Sequence, residues 1–330
     1  MPRNADRILH VPPTSSYQAA IYDVFTGMDP KDHQNRFAKW WFYNDKNGQN
    51  VPEYLMPQLQ VDTDIEPFTF ERRFIAEGMK PPSKQEIEAL APWAYQVEFD
   101  GVSTLNERKA EDWIYHRYRR SLLVETAARI AGNHKSKLSV LDVACHCGVF
   151  SLEFAEQGFG SIRATDLRPE NIRQARFLSK TFNINNVSFA EGNARDIGKA
   201  EPADVVFCGG LLYHVTFPME LLKSLFAVTR EFLVFDTLTH KQPFSGFYLV
   251  CNKDVGYSAE GEFHYEFHPT YRAVCDGLYA VGFKTIYEIV GSSAAEVEHY
   301  ASGNVRSFVA VRNEGGLFAD YVSRCKAVTA

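Results

Sequence analysis

From residue 138 onward, short apolar runs alternate with segments of helical period. Residues 138–144 form an apolar, β-branched run, 150–157 have helical spacing closed by Gly158 and Gly160, and 161–167 form a second apolar run. Pro169 marks the first turn of a helix reaching about residue 182, where its fixed φ and missing N–H are tolerated. Further strands are predicted at 187–190, 203–208 and 232–236, with a helix over 219–229 before the last of them. Strand–helix alternation requires crossover connections, which give a parallel sheet covered on both faces. Residues 270–281 read as a helix stopped by Gly282, and strands at 283–290 and 306–311 close as a hairpin. The predicted fold is α/β: a doubly wound, mostly parallel seven-stranded sheet with one reversed strand at its edge.

The first 100 residues carry no such period. Proline recurs at 12, 13, 30, 52, 57, 67, 81, 82 and 92, with aromatic clusters such as Trp40-Trp41-Phe42-Tyr43 between. Ser83 and Glu86 form a capping box for a short helix reaching residue 90. From 107 to 132, Trp113, Ile114, Arg117, Tyr118, Ser121, Leu122, Glu125 and Ala128 recur at helical spacing, with Gly132 as the stop. The expected organisation is a helical and irregular lid or substrate lobe over 1–132, followed by a ligand-binding domain over 133–330 with an aromatic insertion at 241–267.

Composition excludes several classes. A chain of 330 residues with 45% hydrophobic and 23% charged residues is globular, and no apolar run reaches the length of a bilayer span. The N-terminus lacks the apolar core of a secretory signal, so the expectation is a soluble, cytoplasmic protein without a membrane partner. The net charge is −6, with −1 on residues 1–137 and −5 on the rest, and this disfavours a nucleic-acid partner. The dense basic run Arg117, Arg119 and Arg120 reads as a solvated helix face. The six cysteines do not form a disulfide framework. In Cys145-His146-Cys147 the single intervening residue is too tight for a zinc knuckle, so no metal is expected.

Candidate chemistry sits at three strand ends, where open α/β sheets bind ligands. The first is the turn from Asp142 through Ala144 and Cys145 to Gly148; the second is Asp166-Leu167; the third is Asn193-Ala194-Arg195-Asp196. The interval from the first turn to Asp166 is that at which a carboxylate meets a ribose. A turn with one glycine makes a poor pyrophosphate cradle, so a nucleoside without phosphates fits better.

Asp142-x-Ala144-x-x-x-Gly148, the tip acid Asp166 and the Asn193–Asp196 turn resemble motifs of the class I S-adenosylmethionine (SAM)-dependent methyltransferases over residues 135–313. Gly209-Gly210-Leu211-Leu212-Tyr213-His214 resembles the fourth-strand segment of the tRNA wobble-uridine carboxymethyltransferases and their small-molecule relatives. The resemblance implies SAM as cofactor, held by Asp142, Ala144, Cys145, Gly148, Asp166, Leu167, Asn193, Ala194, Gly209 and Gly210. Where that group usually has glycines, this chain has Ala144 and His146, and Ala144 is tolerable if its backbone is not left-handed. In the carboxymethyl group a lysine after a Pro-Trp pair receives the carboxylate of a modified cofactor. Here Pro92-Trp93 is followed by Ala94-Tyr95-Gln96, so ordinary SAM is expected.

Tyr213 and His214 face the acceptor side in this reading. His214 is the candidate general base, with a packed histidine at a helix start as the alternative. Trp113, Arg117, His240 and His264 are expected to bind the acceptor, and His240, His264 and His268 are second-rank candidates for the base. The leading function is methylation of a small molecule, in secondary metabolism, with a homodimer left open. The alternatives are a tRNA wobble-uridine (carboxy)methyltransferase and a SAM-binding protein without transfer activity.

Overall fold

The computed structural model describes residues 7–9, 56–63, 81–99, 102–104, 110–242, 244–251 and 265–328. In chain order the strands are β1 (Arg7–Leu9), β2 (Gln58–Val61), β3 (Glu98–Phe99), β4 (Val102–Ser103), β5 (Ser139–Val143), β6 (Ser161–Asp166), β7 (Val187–Glu191), β8 (Ala203–Gly209), β9 (Thr229–Leu238), β10 (Phe247–Cys251), β11 (Tyr265–Pro269), β12 (Thr285–Gly291) and β13 (Val305–Val311). The helices are α1 (Lys84–Glu88), α2 (Ala110–Arg120), α3 (Thr126–Ala131), α4 (Val149–Glu156), α5 (Pro169–Thr181), α6 (Pro218–Val228), α7 (Tyr271–Val281), α8 (Glu298–Ala301) and α9 (Leu317–Val328). A π-helical turn, Ser121–Glu125, joins α2 to α3.

One nine-stranded sheet runs in the order β1-β2-β12-β13-β9-β8-β5-β6-β7. The five strands β9, β8, β5, β6 and β7 are mutually parallel, and β13 is antiparallel to both β9 and β12. The seven expected strands are all present, but the reversed strand, β13, lies inside the sheet between β9 and β12 and not at its edge. Two more join them from the N-terminal segment, because β2 pairs in parallel with β12 and β1 pairs with β2.

Alternation explains how the central strands are buried. On β8, Val205 and Phe207 pack into the core beneath α2 and α4, while Val206 and Cys208 pack with α6 and α7 on the opposite face. On β9, Phe232 and Val234 face the first core, and Leu233 and Phe235 the second. A strand covered on both sides reads as a continuous apolar run, which is how these segments appear in the sequence.

A third core unites the N-terminal segment with the sheet domain. Ile87, Trp93, Val97 and Phe99 pack with Val149, Leu152, Ile172, Leu178 and Phe182. Phe99 stacks on Phe182 at 5.4 Å. Gln174 on α5 donates to the carbonyls of Leu90 and Pro92 at 2.7 and 2.8 Å. The capping box at Ser83 and Glu86 forms as expected. Residues 81–99 are thus a roof built into the core, and residues 56–63 belong to the sheet edge. Among the described residues no helix is long and apolar enough to cross a membrane.

The β2–β12 junction leaves no room at Gly291. A Cβ there would lie 2.5 Å from Thr63 Cγ2 and 2.7 Å from Tyr118 Cε2, and the Gly291 N–H donates to the Tyr118 hydroxyl at 3.0 Å. Gly291→Ala should lower stability by about 1–3 kcal/mol through overpacking, read as a shifted denaturant midpoint. An unshifted midpoint would show that β2 is not locked to the sheet.

Candidate functional site

The turn between β5 and α4 is strained. Ala144, His146 and Gly148 have φ of 60°, 53° and 78°, all left-handed. The condition under which Ala144 would sit comfortably is therefore not met; a non-glycine residue there costs roughly 1–2 kcal/mol. Gly148 is required as glycine twice over, since a Cβ would lie 2.6 Å from the Phe189 ring and 2.9 Å from Ala175. Anchors offset the strain. The Cys145 N–H donates to the Thr165 carbonyl at 2.9 Å, and the Cys147 N–H donates to His146 Nδ1 at 2.8 Å. Cys145 and Cys147 are buried, and burial pushes the Cys147 thiol up to about 12.

Asp166 at the tip of β6 is the principal anchor. Its Oδ2 accepts the His146 N–H at 2.9 Å, and its Oδ1 accepts the Arg168 N–H and Asn171 Nδ2, both at 2.9 Å. Three of its roughly four lone-pair positions are thereby used, leaving one on Oδ2. Nothing in the local sequence signals this engagement, and it leaves the carboxylate room for a single further accepted bond.

Asp142, on the neighbouring strand β5, is 1% exposed. Its Oδ2 accepts from Ser151 Oγ at 2.5 Å, while its Oδ1 is buried with no hydrogen-bond partner among the described residues. Burial raises its pKa to about 7, with the Asp166 charge adding and the Ser151 hydrogen bond opposing. A buried carboxylate oxygen without a donor is suited to a cationic or N–H-bearing ligand.

The surface at Leu167, Asn193 and Ala194 is more open. Leu167 is 52% exposed directly after Asp166, an apolar surface at a strand tip. Asn193 caps the 3₁₀ turn Ala194–Lys199 by accepting the Arg195 N–H at 2.9 Å. Ala194 follows it, half-buried, and the Arg195 guanidinium lies 3.8 Å over the Phe217 ring.

At the end of β8 the structure shows a cluster that the sequence reading missed. A Cβ on Gly209 would lie 2.8 Å from the Phe207 ring and 3.2 Å from Arg119 Nη2, and one on Gly210 would lie 3.4 Å from Arg119 Nη2. The glycines thus make room for a buried guanidinium. Arg119 Nη2 donates to Asp236 Oδ1 at 2.8 Å, while Asp236 Oδ2 accepts from Tyr300 at 2.6 Å and Ser307 at 2.8 Å. The basic run read as a solvated face is instead spent in ion pairs: Arg119 is 4% exposed, and Arg120 pairs with Glu153 at 2.5 Å and with Glu125 at 3.4 Å. Helical spacing explains the error. Arg119 lies four residues after Tyr115 and three before Leu122, on the inward stripe of that helix face. Tyr95, Tyr115, Tyr213 and Tyr300 surround this guanidinium, and burial holds every one of these phenols above its ordinary pKa.

Beside Tyr213, the turn Leu212–His214 brings His214 to β11. Glu266 Oε1 lies 2.8 Å from His214 Nδ1, a close contact short of full hydrogen-bond alignment, and Glu266 Oε2 lies 2.7 Å from His268 Nε2. His240 is exposed at the end of β9 and stacks on His268 at 5.6 Å. Arg117 is half-buried and acts on Glu153 electrostatically. The side chain of Trp113 and the whole of His264 lie outside the described residues. No cluster of three or more His, Cys, Asp or Glu side chains among the described residues is arranged to hold a metal.

Residues 134–257 match a family model described as a methyltransferase domain. A ubiquinone biosynthesis O-methyltransferase of Neisseria meningitidis serogroup A / serotype 4A (strain DSM 15465 / Z2491) is 25% identical over 114 residues, which is 34% of this chain and 48% of that protein. A tRNA U34 carboxymethyltransferase of Helicobacter acinonychis (strain Sheeba) is 28% identical over 165 residues, 48% of this chain and 58% of the relative. The chain spans about half the length of the curated relatives it matches. The solved N-terminal domain of EvdMO1 with SAH bound shares the fold, with a TM-score of 0.54 and 22% identity, covering 69% of this chain and 95% of that one. The resemblance read from the motifs is borne out at this level: residues 134–257 match a methyltransferase-domain model, and the relatives they resemble are methyltransferases.

Asp236→Ala should strand the Arg119 guanidinium and two hydroxyls in the core. A loss of about 3–5 kcal/mol is expected, measured by chemical denaturation. A midpoint within error of wild type would contradict the assigned pairing.

Proposed function

We propose that this chain is a SAM-dependent methyltransferase acting on a small molecule. The observation that carries the cofactor assignment is the buried, unpartnered Oδ1 of Asp142 beside the left-handed turn. SAM fits the donor set. The turn from Ala144 to Gly148 and the Asp142 carboxylate would receive its ammonium group, the open position on Asp166 Oδ2 a ribose hydroxyl, and Leu167, Asn193 and Ala194 the adenine. When bound, SAM supplies an activated methyl group whose transfer depends chiefly on alignment with the acceptor. This chain's part is to hold that alignment, keep water out with the Tyr95, Tyr115, Tyr213 and Tyr300 wall, and take the acceptor's proton at His214.

A small-molecule acceptor is favoured over tRNA by what became of the basic run. Arg119 and Arg120, the densest cationic patch in the sequence, are committed to Asp236, Glu153 and Glu125 and leave little to neutralise phosphates. Bulk tRNA should therefore give no salt-sensitive gel shift, and a clear shift would favour the tRNA reading.

Two measurements test the cofactor site. Asp166→Asn keeps an acceptor oxygen for the turn but removes the charge, so it should weaken SAM binding at least about tenfold in calorimetry, as loss of a charge-assisted bond does. Asp166→Ala should additionally cost stability, since the N–H groups of His146 and Arg168 and the Asn171 amide lose their acceptor. Unchanged affinity in both variants would place the nucleoside elsewhere.

The second measurement uses pH. Below about 7 the Asp142 carboxyl is protonated and neutral, so SAM affinity should fall on acidification, by at most about tenfold per pH unit for one proton. Asp142→Asn should abolish that dependence. Because folding raises this pKa from 3.8, the buried carboxyl should also cost the ligand-free fold stability as pH rises from there towards 7. A flat wild-type affinity profile between pH 6 and 8 would contradict the role given to Asp142.

A further inference from the structure

Glu266 belongs to no part of the cofactor site. It lies on β11, within the insertion that follows β9, and it is 7% exposed. Burial alone would raise its pKa, yet the His268 hydrogen bond and the close approach of His214 outweigh that and hold it at about 2. It is therefore a permanent anion between two imidazoles, with Oε1 2.8 Å from His214 Nδ1 and Oε2 2.7 Å from His268 Nε2.

An anionic acceptor at one ring nitrogen decides which nitrogen carries the proton. At His214 the acceptor faces Nδ1, so the proton belongs there and the lone pair is left at Nε2. The contact is close without being aligned, a geometry that catalytic hydrogen bonds take before substrate tightens them. Among the described residues, the other titratable groups around this array are Tyr213 from the turn, His268 from β11 itself, His240 from the end of β9 and Tyr248 from β10. The Tyr213 ring lies 4.0 Å from His214 and 5.7 Å from His268, and Tyr248 lies 4.9 Å from His240. Burial keeps the Tyr213 phenol neutral and lowers the proton affinity of His240, helped by its neighbour His268. The Glu266 carboxylate is the anion of the set.

We propose that Glu266 is a positioning residue that fixes His214 as the Nδ1–H tautomer, so that His214 Nε2 receives the proton of an acceptor hydroxyl or amine. His268 holds the second carboxylate oxygen and keeps Glu266 from turning away. This inference rests on the methyltransferase reading and adds to it the acceptor class: a molecule with a proton on the atom to be methylated. In the step, the acceptor oxygen or nitrogen bonds to the methyl carbon as the carbon–sulfur bond breaks. The bonding pair stays on sulfur, and the acceptor proton ends on His214 Nε2.

The test is ¹⁵N NMR of the full chain with labelled histidine, at a pH where the rings are neutral. The wild type should show His214 mainly as the Nδ1–H tautomer, and Glu266→Gln should lose that preference in favour of the Nε2–H form typical of free histidine. Glu266→Asp should restore part of it. Diethyl pyrocarbonate should modify wild-type His214 at Nε2, with modification slowed in Glu266→Gln. A wild-type ring already in the Nε2–H form, or a Glu266→Gln protein that melts lower with an unaltered His214 tautomer, would overturn the proposal. Calorimetry with SAM, run on the same samples, separates the two readings. If wild-type protein binds no SAM the methyltransferase reading fails, whereas the tautomer result still decides the role of Glu266.

Discussion

Asp166 is a single carboxylate through which three parts of the molecule are held in register. It receives an N–H from the β5–α4 turn, another from the start of α5, and the amide of Asn171 within α5. Two non-glycine residues in that turn are left-handed. Such backbone persists only where its surroundings over-determine it. The anchoring is electrostatic, and it has a consequence one strand away. The charge on Asp166 adds to the burial that keeps the Asp142 carboxyl from ionising below about 7. The turn is thus shaped by one acid and left with an unsatisfied oxygen on another, an arrangement that favours a ligand bearing positive charge.

The second hub is Arg119 with Asp236. The guanidinium fills the space over Gly209 and Gly210, and its carboxylate partner also gathers Tyr300 and Ser307. Buried ion pairs contribute little net stability but are costly to break, so their value lies in specifying one arrangement. Here the arrangement joins α2, the ends of β8 and β9, α8 and β13 around a wall of tyrosines. In the proposed reading the sheet positions the cofactor side through Asp142 and Asp166, while this pair positions the side from which an acceptor would approach.

Much of the fold was legible because central strands buried on both faces write themselves as apolar runs. Residues such as Val205 to Cys208 and Phe232 to Phe235 could be read without knowing their partners. The β2 edge was not legible: four residues, Gln58–Val61, become a strand by pairing with β12, some 230 positions away. Asp142 and Asp166 were legible as acids ending apolar strands, but the three bonds on Asp166 come from tertiary geometry. Arg119 was misread because a basic run suggests solvent, although its offset from Tyr115 and Leu122 placed it on the inward stripe. Glu266 carried no local signal, since its meaning depends on His214, 52 residues earlier in the chain.

Strand ends that bind a nucleoside through carboxylates and a one-glycine turn, without a cradle for phosphates, should take S-adenosylhomocysteine and refuse NAD. Parallel calorimetric titrations of the wild-type protein with the two ligands decide the matter. A saturable heat is expected for S-adenosylhomocysteine at one site per chain and none for NAD. Binding of NAD in preference to S-adenosylhomocysteine would contradict that expectation.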